Sequence, residues 1–143
     1  MMLVELFVPK GVLTARRRGE IAERLCTELL YEEGVPPAVA EPSRAATHVV
    51  VHEPQAWVNG GPAAEGPRFV VRVSVPAAWR AEISARVIER VTRVLTGASG
   101  DAHADVWVHV VGVPEGGMGA FGQVMRSTDI VQLLTASFRG VAA

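Results

Sequence analysis

The stretch RFVVRVSVPAAWRAEISARVIERVTRVL (residues 68–95) contains a strand pattern followed directly by a helix pattern. Apolar residues occupy every second position of the strand and predict one buried face: Phe69, Val71, Val73 and Val75. Apolar residues then recur every four positions and predict one face of a helix that ends near Gly97: Ile83, Val87 and Val91. Another strand pattern, ADVWVHVVGVP (residues 104–114), follows. The second part of the chain therefore predicts a β-α-β unit.

The same order of elements occurs earlier in the chain. MMLVELFVP (residues 1–9) is a strand pattern, and Met2, Val4, Leu6 and Val8 share its apolar face. A helix pattern runs from Ala15 to about Glu33, with Thr14 as its predicted N-cap, and THVVVHE (residues 47–53) is the next strand. A helix that joins two strands as a crossover makes the strands parallel.

Two such units predict an α+β fold with a four-stranded sheet and two helices on one face of it. We expect a single domain over residues 1–143, built from two pseudo-repeats at about 1–66 and 67–143. The other face of the sheet would carry Phe7, Trp107 and Val111 among polar residues, and such a face predicts self-association. Trp57 and Trp79 lie in or beside predicted loops, where they either line a pocket or, as we favour, fill an interface.

Composition narrows the partners of this protein. The net charge of −1 and the single lysine, Lys10, argue against nucleic acid or an anionic membrane as the main partner. The first residues lack a basic leader, and Glu5 and Pro9 interrupt their apolar run, so we expect neither a secretion signal nor a membrane span. The cytoplasm is the expected location. One cysteine, Cys26, falls within a helical apolar pattern and predicts a buried thiol.

Two motifs resemble cofactor sites but lack the partners that such sites need. GMGAFG (residues 117–122) matches the glycine fingerprint of dinucleotide sites, but the residues after it leave no room for the second strand that such a site requires. His48 and His52 are four residues apart on a strand, which is too far for one metal ion. The sequence therefore predicts no cofactor and no metal.

Two stretches, LFVPKGVLT (residues 6–14) and VWVHVVGVPEGGMGAFG (residues 106–122), carry a resemblance to a known family. With the pattern of the whole chain, they resemble the tautomerase superfamily, whose small members such as 4-oxalocrotonate tautomerase are single β-α-β units. Its longer members, including the cis-3-chloroacrylic acid dehalogenase group, fuse two units and form trimers. The resemblance implies a homotrimer. It also implies catalysis by an N-terminal proline whose amine pKa is lowered by desolvation.

This sequence departs from that family at the catalytic positions. Met2 stands where the resemblance places the proline, and Met1 precedes it. The two substrate-binding arginines of the dehalogenase-like members correspond to Pro76 and Trp79, with Arg80 one position away. The tyrosine on their fourth strand corresponds to His109, and their hairpin glutamate to Ala120, so a hydrolytic dehalogenase of that type is not expected.

The resemblance and its departures lead to competing hypotheses. The first is a weak or altered keto–enol tautomerase that acts on a small 2-oxo acid, with proton transfer by His109 or by the α-amine at Met2 or Met1. Its expected partners are a small carboxylate-bearing molecule and copies of the same chain. Four residues are its candidate substrate-binding groups: Arg72, Arg80, Trp107 and Phe121. The alternative is a non-catalytic trimeric binding or structural protein, and a more distant one is another enzyme class that uses His109 as a base.

Overall fold

The structure is a computed structural model that describes residues 2–29, 37–58 and 66–141. Its main sheet has four strands in the order β2-β1-β3-β4, and a short hairpin forms a second sheet. In chain order the elements are β1 Met2–Phe7, α1 Ala15–Glu28, α2 Pro37–Ala45, β2 Thr47–His52, β3 Arg68–Pro76, α3 Ala77–Ser99, β4 Asp105–Val113, β5 Gly119–Ala120, β6 Gln123–Val124 and α4 Ser127–Val141.

The strand pairing confirms the two predicted crossover units. β1 is parallel to β2, and β3 is parallel to β4, as a helical crossover between the members of each pair requires. The two units meet where β1 and β3 pair antiparallel, from Leu3 opposite Ser74 to Phe7 opposite Val70. The predicted fold class is thus observed. The boundary between the pseudo-repeats at residues 66 and 67 stays a prediction.

One face of the sheet and the inner faces of α1 and α3 form the core. The strand residues predicted to point inward are all buried: Met2, Val4, Leu6, Val8, Phe69, Val71, Val73 and Val75. They pack with apolar residues of the two helices, including Ile21 and Leu25 of α1 and Val87 and Val91 of α3. Burying such side chains stabilises the fold by roughly 1.5–3 kcal/mol each. The strand period of two and the helix spacing of four therefore identified the core correctly.

The ends of the helices differ in part from the prediction. Thr14 caps α1 as expected, because its side chain accepts a hydrogen bond from the backbone N–H of Arg17. However, α1 ends at Glu28 and not near Glu33, and Gly34 lies outside the described residues. α3 continues past Gly97 to Ser99, because Gly100 and not Gly97 adopts the left-handed conformation that ends the helix (φ +73°).

The sequence did not predict α2, a short helix that begins at Pro37 and contains Pro42. The PP pair at residues 36 and 37 suggested the end of a helix. Proline is also well tolerated in the first turn of a helix, so Pro37 can begin α2. α2 contacts α1, α4 and β2. The helices α2 and α4 are therefore additional to the two crossover helices predicted from the repeats.

The glycine-rich segment and the last helix form one unit at the end of β4. Residues 117–122 lie in and around the β5–β6 hairpin, whose two-residue turn gives Gly122 a φ of +76° that favours glycine. The Glu115 carboxylate before the hairpin accepts hydrogen bonds from the backbone N–H of Ser127, the first residue of α4. The Asp129 carboxylate accepts from the backbone N–H of Arg126 at 2.8 Å. Acidic side chains at this helix start satisfy backbone donors.

Cys26 and Trp79 contact the folded body of the chain. The Cys26 side chain is half-buried, with its Sγ atom 3.9 Å from the carbonyl oxygen of Thr47, and burial raises the pKa of its thiol. Trp79 is partly buried and packs against the core, and its expected place in an interface stays a prediction. Among the described helices, none is long and apolar enough to cross a membrane.

Arg90 is a buried charged residue that joins the two crossover helices. Its guanidinium Nη1 atom donates to the carbonyl oxygens of Glu28 and Leu29 at 3.1 and 3.3 Å, although Arg90 is only 7% exposed. Those carbonyls are at the end of α1, where the helix leaves acceptors without internal partners. An arginine of α3 therefore satisfies the terminal carbonyls of α1.

We expect the substitution Arg90→Met to lower the free energy of unfolding by about 1–3 kcal/mol, since buried carbonyl groups lose their donor. Urea unfolding monitored by circular dichroism measures this change. Arg93→Met is the matched control, because Arg93 lies three residues further along the same helix and is exposed. Equal stability of the two variants would contradict the capping role of Arg90.

Candidate functional site

The face of the sheet opposite the core, here called the open face, presents three rows of residues that follow from the strand register. Each row crosses the strands in the order β2, β1, β3, β4. The first row is His48, Leu3, Ser74 and Val111. The second row is Val50, Glu5, Arg72 and His109. The third row is His52, Phe7, Val70 and Trp107.

Apolar side chains of the open face are exposed to solvent, as the sequence predicted. Trp107 is 63% exposed and Val111 is 42% exposed, while Phe7 is partly buried. Leu3 and Val50 are exposed to about the same extent as Val111. Large exposed apolar side chains that are grouped on one face are typical of a surface that binds a protein partner or a ligand.

Glu5 holds the centre of this face together. Its carboxylate accepts a hydrogen bond from Arg72 Nη1 at 3.2 Å, and His52 Nε2 lies 3.5 Å from its other oxygen. The His52 ring stacks on Phe7, with the ring centroids 4.5 Å apart and the planes 10° from parallel. The shielded His52 Nε2 atom makes no hydrogen bond within the described residues, so its 3.5 Å contact becomes an ion pair only when the imidazole is protonated. Glu5 thus links β2, β1 and β3.

A cavity of about 280 Å³, here called the Trp107 cavity, opens beside the third row. Its lining residues come from β3, β4 and the segment after β2: Trp57, Arg68, Phe69, Val70, Asp105, Trp107 and His109. Two of them, Trp107 and His109, are among the site residues predicted from the sequence. The cavity therefore combines aromatic walls, an imidazole, a guanidinium and a carboxylate.

Asp105 orients the indole of Trp107. The indole Nε1–H donates to Asp105 Oδ1 at 2.8 Å, so the Trp107 ring is held in place although most of it is exposed. The other carboxylate oxygen of Asp105 lies 4.0 Å from Nε of Arg68, which is longer than a hydrogen bond. The Arg68 side chain is 25% exposed. Arg68 therefore lines the cavity beside a carboxylate to which it is only loosely paired.

The predicted site residues fall into two groups at opposite ends of the strands. His109 and Trp107 line the cavity, and Arg72 pairs with His109 in the register of β3 and β4. Arg80 lies at the other end, where its Cδ atom approaches Gly112 so closely that a Cβ there would be 3.3 Å from it. The structure therefore brings Arg72, Trp107 and His109 together and leaves Arg80 apart from them.

Met2 and Phe121 also lie away from the cavity within one chain. The Met2 side chain is buried on the core face, and its backbone N–H donates to the carbonyl oxygen of Ala46 at 3.1 Å. Phe121 is 97% exposed in the hairpin, with a φ of +55° that is unusual for a residue other than glycine. A shallow groove of about 440 Å³ is formed by the hairpin itself, residues 116–124.

Sequence reasoning missed Arg68 and Asp105, and it gave a pocket role for Trp57 only as the alternative to an interface. Arg68, Val70 and Arg72 are alternate residues of β3 and therefore share one strand face. The strand period of two was thus enough to place Arg68 on the same face as Arg72. Trp57 follows β2 without regular structure, and only the folded chain shows that it reaches β3 and β4. No group of three or more metal-ligating side chains occurs in the described ranges 2–29, 37–58 and 66–141.

Comparison with known proteins gives likeness at the level of structure. No protein-family model and no curated protein sequence matches this chain. The chain is similar to N1, a member of the cis-3-chloroacrylic acid dehalogenase family, with a TM-score of 0.73 and 18% identity over 94% of this chain and 90% of that one.

Two other solved structures cover 85% of this chain and 94% of their own. They are the F6 fused 4-OT, an asymmetric trimer, with a TM-score of 0.70 and 14% identity, and Pt0534 inactivated by 2-oxo-3-pentynoate, with a TM-score of 0.69 and 21% identity. These neighbours are tautomerase superfamily proteins, as the sequence resemblance predicted. At such identities the likeness shows the fold, and the fold of this chain is that of the tautomerase superfamily.

Proposed function

We propose that this protein is a weak or altered keto–enol tautomerase that acts on a small 2-oxo acid without an N-terminal proline. The observation that carries the proposal is the pairing of Arg72 with His109 across β3 and β4, beside a cavity that Trp107 walls. A guanidinium, an imidazole and an apolar wall are the groups that such a reaction needs. The tautomerase-superfamily fold supports this class of reaction.

The chemistry assigns a role to each of these residues. Arg72 binds the carboxylate of the 2-oxo acid. Its Nη1 atom donates to Glu5, but a guanidinium carries five N–H donors, so further donors can bind the ligand. The neutral His109 imidazole removes a proton from C3 of the keto form, and the enolate oxygen takes up a proton from solvent. Ketonisation is the reverse, with His109 returning the proton to C3. Histidine suits this role because it takes up and releases protons near neutral pH.

A second form of the proposal uses the other group of predicted residues. The α-amine at Met1 or Met2 would transfer the proton, Arg80 would hold the carboxylate and Phe121 would contribute an apolar contact. An amine at the start of β1 lies near the end of β4 that contacts Arg80, since Leu3 pairs with Ser74 and Ser74 with Val111. His109 is favoured over this amine, because the Trp107 cavity lies beside His109 and its lining does not include Met2.

We also propose that the chain assembles as a homotrimer through its open face. Fused 4-OT proteins of the same fold are described as trimers, and Leu3 and Val111, the exposed apolar residues of the first row, would be covered in such an assembly, while the third row beside the Trp107 cavity would stay open. The predicted location remains the cytoplasm. A non-catalytic trimeric binding or structural protein is the second candidate, and the specific observation in its favour is Met2 at the proline position.

The first test concerns His109. We expect the purified protein to ketonise phenylenolpyruvate faster than buffer, and His109→Asn to lower that rate by roughly 10²-fold, the contribution typical of a general base. The decay of enol absorbance measures both rates. His48→Asn is the matched control, because His48 lies on the same face at the opposite edge strand. A well-folded trimer with the rate of buffer would refute the proposal.

The second test concerns the start of the chain. A variant that begins with proline in place of Met2, with Met1 removed, keeps an N–H for the carbonyl of Ala46 but loses a buried side chain from the core, so circular dichroism first checks that it folds. We expect the natural chain to be active already and the proline to change its rate by less than about tenfold, or 1.4 kcal/mol. Intact mass establishes the residue at each N-terminus. Activity that appears only with proline would favour the non-catalytic alternative.

The third test concerns assembly. Light scattering after gel filtration should give about three times the chain mass of 15.2 kDa. We expect Val111→Glu to reduce this mass, because a buried unpaired carboxylate in the interface is costly. Ile88→Glu is the matched control, since Ile88 on α3 is 41% exposed and Val111 is 42% exposed. A natural chain that runs as a monomer would contradict the proposed trimer.

A further inference from the structure

The Trp107 cavity has a second charged end that the proposed reaction does not use. Arg68 and Asp105 pair in register at the start of β3 and β4, four residues from Arg72 and His109. At ~3.3 Å per residue the two ends are about 13 Å apart along the strands. We propose that the Arg68 end binds a planar aromatic carboxylate, with its ring against Trp57 and Trp107 and its carboxylate on Arg68.

This inference rests on the proposed function only for the choice of the Trp107 cavity. It adds the class of ligand that binds at the Arg68 end, which the proposed reaction does not use. The ligand need not react, because its carboxylate lies on Arg68 and not on Arg72. A ring against Trp107 would occupy the space beside His109, so such a ligand would compete with the 2-oxo acid. Its binding is measured without turnover, and the two proposals can therefore fail separately.

The size of the cavity limits the ligand. Its volume of about 280 Å³ is just below the range of roughly 300–1,000 Å³ found for small-molecule sites. One aromatic ring with a short chain fits such a space, whereas a nucleotide or a peptide does not. Val70 adds apolar surface beside the two indoles. Flat apolar walls favour a ring over a branched aliphatic group.

The rigidity of Trp107 supports a binding role for that indole. A side chain that is mostly exposed usually has freedom to turn, but Asp105 holds the indole nitrogen at 2.8 Å. A ligand that stacks on a fixed ring loses less free energy on binding, because the ring is already ordered. The Asp105 carboxylate therefore prepares one wall of the cavity.

The charge at this end favours an anion. Arg68 lies 4.0 Å from Asp105, and that carboxylate already accepts a hydrogen bond from Trp107. A planar guanidinium binds a carboxylate through two parallel hydrogen bonds, which a loosely paired arginine can offer. Asp105 opposes the incoming carboxylate by charge repulsion. Removing the charge of Asp105 while keeping its acceptor oxygen should therefore strengthen binding.

The test uses the full chain in its natural assembly and trans-cinnamate, a planar aromatic carboxylate that cannot enolise. We expect isothermal titration calorimetry to detect 1:1 binding per chain. We expect Arg68→Gln to weaken binding at least tenfold and Asp105→Asn to tighten it several-fold. Arg93→Gln is the control cation, because Arg93 lies on the outer surface of α3 beside Glu89. Thermal unfolding by circular dichroism checks that each variant remains folded.

Three outcomes would overturn this inference. One is the absence of binding up to about 10 mM ligand. Another is an Arg68→Gln variant that binds as tightly as the natural chain. The third is weaker binding by Asp105→Asn, which would indicate a cationic ligand. Cinnamate binding without ketonisation would leave the inference standing and refute the proposed function, whereas ketonisation without Arg68-dependent binding would do the reverse.

Discussion

The antiparallel pairing of β1 with β3 is the constraint on which the rest of this structure depends. It joins two parallel β-α-β units into one sheet, and its register places Glu5 opposite Arg72 and Phe7 opposite Val70. Shifting that register by one residue would move every side chain of a strand to the other face, because strand side chains alternate. The core and the open face are therefore set by the same hydrogen bonds.

The two faces of the sheet have opposite requirements. On the core face, strand residues pack with α1 and α3, and Arg90 satisfies the end of α1. On the open face, Glu5 holds Arg72 beside the other strands, while Trp107 and Val111 remain exposed. The charged and ionisable residues of the candidate site lie on this second face. Buried charges are costly, and on the open face these side chains keep contact with water and with one another.

The sequence identified much of the fold and part of the candidate site. The alternation in residues 68–76 gave the buried face of β3, and Thr14 gave the start of α1, because both depend on neighbouring residues alone. α2 was missed, since its prolines suggested an end and not a start. Arg80 was expected beside His109, but helix α3 places it at Gly112, at the far end of β4. Trp57 reaches the cavity through a segment without periodicity, so no local pattern could place it.

The sequence by itself determined the two β-α-β units, the side chains of their core and the absence of proline at the start of β1. These follow from periodicity and residue identity, which are local properties. Only the tertiary structure decided that the predicted site residues divide between two ends of the strands, and that Arg68, Asp105 and Trp57 surround Trp107. The reason is physical: the strand order and the β3–β4 register bring together residues that are far apart in the chain, and no local pattern encodes that contact.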